Sequence, residues 1–79
     1  MTSDEALKSI SIAIKHAPRT SYVAELHLQI IKYAEVLQST TGREFAEALG
    51  IGASFGTEFI KMRKIAARLR EAGLDTDRI

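Results

Sequence analysis

The sequence predicts an all-α fold, a compact domain of four helices in which the last two are joined by a tight turn. Apolar residues recur three and four positions apart along most of the 79 residues, which is the spacing of one helix face. The chain has one proline and 6% aromatic residues, while alanine and leucine are common, and this composition favours helices. Start and stop signals divide the pattern into helices at residues 4–17, 21–38, 42–49 and 54–72, with a frayed tail at 75–79.

The first two predicted helices are separated by Pro18. Ser3 is the expected N-cap, with Asp4 and Glu5 in the first turn, where carboxylates meet the positive end of the helix dipole. Pro18 ends this helix because the residue before a proline is pushed out of helical geometry. The segment 21–38 is apolar around most of its circumference, which predicts the central helix of the domain.

The third predicted helix has the clearest start. Thr41 and Glu44 have the spacing of a capping box, in which each residue bonds to the backbone of the other. Gly50 follows this helix at the position where a left-handed residue is commonly found. The fourth helix extends from Ser54 to Ala72, although Gly56 within it disfavours helix by about 1 kcal/mol relative to alanine.

The third and fourth helices carry the pattern with the most functional content. Two helices that cross at a tight turn need a small residue in the first helix, a glycine at the turn and apolar residues that fix the crossing. The matching residues are Phe45, Ala46, Leu49, Gly50, Ile51 and Phe59. Over about residues 41–64 this spacing resembles the helix-turn-helix domains of bacterial repressors. It departs from that family at Gly56, where a branched apolar residue is usual, and a plain helical hairpin is the alternative explanation.

Positive charge is concentrated on the fourth predicted helix. Residues 54–70 carry five basic side chains and one acidic side chain, whereas the whole chain has a net charge of +1. In a recognition helix we expect Thr57, Glu58, Lys61 and Lys64 to face the bases. We expect phosphate contacts from Arg63, Arg68 and Arg70, and from Arg43 at the start of the third helix. The alternative is that these charges only solvate the surface.

Several classes of function are disfavoured by composition. The chain has no cysteine, which excludes disulfides, thiolate zinc sites and cysteine nucleophiles. His16 and His27 are isolated, without carboxylates at ligand spacing, so we expect no metal site, no cofactor, no catalytic residue and no enzyme activity. No apolar stretch reaches the ~20 residues that span a bilayer, and the acidic start is unlike a signal peptide. We therefore expect a cytoplasmic protein without a membrane partner.

The favoured function is a small DNA-binding transcriptional regulator whose partner is double-stranded DNA. A chain of this length builds only a small core, so we also expect a homodimer. The alternative is a protein–protein interaction module, an adaptor or antiactivator that keeps the same frame without binding DNA. The basic fourth helix favours DNA, whereas the low net charge and Gly56 favour the module. An apolar strip left exposed at Phe55, Ile60 or Ala67 would also favour the module.

Overall fold

Residues 1–79 are described by a computed structural model, which contains four α-helices and no strand. The helices are α1 (Ser3–His16), α2 (Tyr22–Tyr33), α3 (Gly42–Leu49) and α4 (Ser54–Glu71). Short 3-10 turns lie at Arg19–Ser21, before α2, and at Thr76–Arg78, after α4. The predicted all-α fold with a C-terminal helix-turn-helix-like pair is confirmed.

α1 begins at Ser3, one residue earlier than predicted. Thr2, rather than Ser3, is the N-cap: its hydroxyl accepts a hydrogen bond from the Glu5 backbone N–H at 3.2 Å. The Glu5 carboxylate accepts in return from the Thr2 backbone N–H at 2.9 Å, which completes a capping box. At the other end, Ala17 is extended at φ −70°, ψ 143°, because Pro18 follows it.

α2 ends at Tyr33, five residues before the predicted end at residue 38. The segment 34–39 forms successive turns, in which the Leu37 N–H is shared between the carbonyls of Tyr33 and Ala34 at 3.2 and 3.3 Å. The Leu37 carbonyl accepts a hydrogen bond from the side chain of Arg63 on α4. Arg63, which lies 26 positions further along the chain, thus holds α4 against the turns that follow α2.

The hydrophobic core draws on all four helices. Its eight buried residues are Ala6, Ile10, Ile14, Leu26, Ile30, Leu37, Phe45 and Phe59. The rings of Phe45 and Phe59 stack with centroids 4.3 Å apart and planes at 12°, so α3 and α4 meet through an aromatic pair. Val23 and Leu28 are exposed. The expected central helix thus packs against both α1 and α4, but it buries one face instead of being surrounded.

The last residues fold back onto α2 instead of fraying. The Lys32 ammonium group on α2 donates to the backbone carbonyl of Ile79 at 2.7 Å. The Asp75 carboxylate accepts from the Asp77 N–H at 3.0 Å, which starts the final 3-10 turn. The predicted frayed tail at 75–79 is thus an ordered turn held by side-chain hydrogen bonds that sequence periodicity does not reveal.

Candidate nucleic-acid interface

The start of α3 is fixed by the predicted capping box. The Thr41 hydroxyl accepts from the Glu44 backbone N–H at 3.1 Å, and the Glu44 carboxylate accepts from the Thr41 backbone N–H at 2.9 Å. Hydrogen bonding, first to this backbone N–H and then to the hydroxyl of Thr41, lowers the pKa of Glu44 below its ordinary value of 4.5. The carboxylate is thereby held ionised at the positive end of the helix dipole.

The turn between α3 and α4 is made by Gly50. Its φ of 67° and ψ of 32° lie in the left-handed region, which a glycine adopts without a steric penalty. The Ile51 N–H donates back to the carbonyl of Ala46 at 3.1 Å, closing the last turn of α3. Ile51 then packs against the core. Residues 50–53 are thus enough to reverse the chain between the two helices.

α3 and α4 approach most closely at two glycines. A Cβ atom built on Gly42 would lie 2.6 Å from the Gly56 carbonyl oxygen, and one built on Gly56 would lie 2.7 Å from the Gly42 carbonyl oxygen. The sequence had indicated Ala46 as the small residue of the crossing, and Ala46 is indeed buried one turn further along α3. Gly56 departs from the family pattern because the backbone of α3 occupies the space where a side chain would project.

An open groove lies between α3 and α4, with a volume of about 810 Å³. We call it the α3–α4 groove. Its lining residues are Gly42, Arg43, Ala46, Glu47, Ile51, Ala53, Gly56, Thr57, Ile60, Lys61 and Lys64. The charged residues in this set are exposed, whereas its glycines at the crossing and its two isoleucines are buried or half-buried. The groove therefore combines an apolar floor with a mainly cationic rim.

The outer face of α4 carries three exposed cations. Lys61, Lys64 and Arg68 are three, four and seven positions apart and so share one face. The Lys61 ammonium lies 3.8 Å from a carboxylate oxygen of Glu58, whereas Lys64 and Arg68 form no ion pair in the structure. Thr57, also exposed, lies one turn before Lys61 on the same face. Four of the eight predicted contact residues are therefore brought together on this surface.

Arg63 and Arg70, also predicted phosphate contacts, are used inside the protein. Arg63 donates from one guanidinium nitrogen to the carbonyls of Leu37 and Thr40 at 2.8 and 2.7 Å. Arg70 pairs with Glu35 in the turns after α2, with 3.1 Å between nitrogen and oxygen, and its side chain is only 23% exposed. Both arginines therefore connect α4 to the segment that follows α2.

The inward placement of these two arginines had a signal in the sequence. Positions 59, 63, 66 and 70 are spaced four, three and four apart, which places the two arginines on the same helix face as Phe59 and Ala66. Phe59 and Ala66 are fully buried, and the Arg63 guanidinium carbon lies 4.9 Å from the centre of the Phe59 ring. Helical phase, rather than the count of basic residues, identifies which cations of α4 reach solvent.

The remaining two predicted contact residues occupy the flanks of this surface. Arg43 on α3 is 88% exposed and pairs with Glu47 at 3.0 Å. Glu58 is directed toward α2, where one of its carboxylate oxygens lies 3.5 Å from Nε2 of His27. That nitrogen is buried and has no hydrogen-bond partner. Arg43 therefore remains available beside the groove, whereas Glu58 is engaged at the boundary between α2 and α4.

The apolar residues expected to distinguish a DNA-binding protein from a protein–protein interaction module are only partly covered. Phe55 packs edge-on against Tyr22 with ring centroids 6.3 Å apart, and Ile60 packs against the core. Ala67 is exposed. Further apolar surface on α4 comes from Ile65 and Leu69, which are 44% and 37% exposed. α4 thus presents both a cationic face and an apolar flank.

No three His, Asp or Glu side chains lie together in an arrangement that could hold a metal ion. None of the helices combines the length and the apolar character needed to cross a bilayer.

The fold and the α3–α4 pair define a helix-turn-helix protein. The family model of the HTH-like domain matches residues 2–72, and the chain belongs to this family. The match includes α1 and α2 and so extends well beyond the residues 41–64 that carried the resemblance in the sequence. No curated protein and no solved structure matches the chain.

Proposed function

We propose that the chain binds double-stranded DNA through α3 and α4 and acts as a small transcriptional regulator. The observation that carries this proposal is the exposed cationic face of Lys61, Lys64 and Arg68 on α4, with Arg43 across the groove. A row of exposed cations on the second helix of a helix-turn-helix, of which Lys64 and Arg68 have no ion-pair partner, suits the phosphates that border a major groove. The role is one of binding rather than catalysis.

The binding mode follows from the placement of these side chains. With α4 in the major groove, Thr57, Lys61 and Lys64 face base edges, and Arg43 and Arg68 contact phosphates. The four cations in this set give the binding a predictable salt dependence. If only Arg43 and Arg68 neutralise phosphates, log K falls with log salt at a slope of roughly −1.8, and if Lys61 and Lys64 also do so, at a slope of roughly −3.6.

We further propose that two copies associate through α1 and α2. Ile12 on α1 and Leu28 on α2 are exposed, on the two helices that do not form the helix-turn-helix pair. To read two half-sites on one face of DNA, such a dimer must hold its recognition helices about 34 Å apart, one turn of DNA. Sedimentation equilibrium of the native chain and of Leu28→Glu tests this association, because a buried glutamate at the contact would dissociate the dimer.

The DNA proposal is tested by titrating random-sequence duplex DNA at salt concentrations from about 50 to 200 mM. We expect binding that weakens steeply with salt and is lost in the variant Lys61→Ala/Lys64→Ala/Arg68→Ala. The matched control, Lys8→Ala/Lys15→Ala/Arg19→Ala, removes the same charge from exposed positions on α1 and just after it. The control should keep most of the affinity.

Two results would contradict the proposal. Absence of binding at about 50 mM salt, where phosphate contacts are strong, would exclude a DNA-binding role. Equal losses in the two triple variants would show that only the total charge matters and not the face of α4.

A protein–protein interaction module is the second candidate function. The exposed Ile65 and Leu69 favour it, because apolar side chains on one flank of α4 could be covered by a partner. Because Arg63 and Arg70 bind other parts of the chain, the exposed surface of α4 carries fewer cations than the sequence of the helix contains. Loss of partner binding in Ile65→Ser/Leu69→Ser, with unchanged DNA binding, would assign the two functions to different faces.

A further inference from the structure

The α3–α4 groove has a feature that DNA binding does not use. Its floor is apolar, formed by Ala46, Ile51 and Ile60 around the glycine crossing. Along α4 the lining extends from Ala53 to Lys64, which is about 16 Å at a rise of 1.5 Å per residue. DNA phosphates and sugars would contact the rim but gain nothing from this floor. The groove therefore fits an occupant with an apolar ridge.

The rim determines the charge of that occupant. Arg43 borders the groove on α3, and Lys61 and Lys64 border it on α4. Glu47 is the one acidic residue in the lining, and its carboxylate is already paired with Arg43 at 3.0 Å. Lys64 has no carboxylate partner in the structure. A complementary ligand thus carries negative charge chiefly on the side of its apolar ridge that faces Lys61 and Lys64 of α4.

We propose that the α3–α4 groove binds an acidic amphipathic helix of a partner protein. The length of the groove corresponds to about three turns of such a helix, which is longer than a compact small molecule needs. Apolar side chains spaced three and four residues apart would fill the floor, and carboxylates beside them would meet the rim. Because the proposed DNA contacts use the same cations, the bound partner helix excludes DNA. This competition with DNA rests on the proposed function.

The test uses a fluorescein-labelled synthetic helical peptide of about 18 residues. Its leucines recur three and four residues apart so that they share one face, and glutamate fills the other positions. Fluorescence anisotropy with the full chain should show saturable binding. Lys64→Glu should weaken it about tenfold or more, whereas Arg68→Glu should weaken it less than about threefold. The two variants make the same charge change at exposed positions on one helix, but only Lys64 lines the groove.

Three results would overturn the inference: no saturable binding, equal weakening by the two variants, or undiminished binding of a control peptide whose leucines are replaced by serine. The DNA titration separates the two proposals. A peptide that binds a chain unable to bind DNA supports the groove and contradicts the proposed function. DNA binding without peptide binding supports the proposed function and contradicts the groove as a peptide site. If the chain binds both, the unlabelled peptide should displace DNA.

Discussion

Gly42 and Gly56 occupy each other's side-chain space. A Cβ atom on Gly42 would lie 2.6 Å from the carbonyl oxygen of Gly56, and the obstacle in each direction is backbone rather than a movable side chain. The close approach of the α3 and α4 backbones therefore requires glycine at both positions. This contact also gives the α3–α4 groove its floor, because no side chain projects at the crossing.

Gly56→Ala should destabilise the protein although alanine is the better helix former. The helices would have to separate to admit the methyl group, which costs about 1–3 kcal/mol. The helix-propensity gain of about 1 kcal/mol offsets part of this cost, so the net loss of stability should be up to about 2 kcal/mol. Urea unfolding followed by circular dichroism measures the change. Gly52→Ala is the matched control, because its nearest neighbours would be 3.9 Å away, and its stability should be unchanged or slightly raised. Equal effects of the two substitutions would contradict the close crossing.

Arg63→Ala should lower stability by about 2 kcal/mol, since it removes hydrogen bonds from a charged donor to two carbonyls. Arg68→Ala should change stability by less than about 0.5 kcal/mol, because Arg68 is exposed and makes no such contact. Under the proposed function, Arg68→Ala instead weakens DNA binding. Chemical denaturation and DNA titration of both variants check this division of roles, and it fails if Arg63→Ala unfolds no more easily than Arg68→Ala.

The stability contributed by the Glu44 charge should depend on pH. Because the pKa of Glu44 is lowered in the folded protein, this contribution is complete above the ordinary value of 4.5 and disappears as pH falls through the folded pKa. Glu44→Gln keeps an acceptor for the capping box but removes the charge. The native chain should therefore be more stable than Glu44→Gln at about pH 7 and lose this advantage in acid. A stability difference that is constant from neutral to acid pH would refute the assignment.

Glu58→Gln should strengthen DNA binding by about twofold or more, because it removes a carboxylate that repels phosphate and that lies 3.8 Å from Lys61. The increase should be similar for different DNA sequences, since Glu58 is directed toward His27. Parallel titrations of several duplexes measure this. Weakened binding confined to duplexes with a particular cytosine would instead show that Glu58 reads a base.

Several features of the helices and of the turn were predictable because they depend on neighbours within four or five residues. The capping box of Thr41 and Glu44, the left-handed Gly50 and the helix stop before Pro18 all form as the sequence indicates. The sequence also indicated that Lys61 and Lys64 are exposed, and both are. Their positions follow from helical periodicity once the helix is assigned.

Other features depended on which part of the chain lies opposite. The sequence alone determined the all-α class, most helix boundaries and the cationic character of α4, because propensity, capping and periodicity act locally. Only the tertiary structure decided that α2 stops at Tyr33, that Arg63 and Arg70 bind these particular distant groups, and that Gly56 serves a crossing. Arg63 bonds to carbonyls 23 and 26 positions away, and Gly56 meets Gly42 across a turn. Such contacts form when packing of the apolar faces brings distant backbone together, and local sequence patterns do not specify that arrangement.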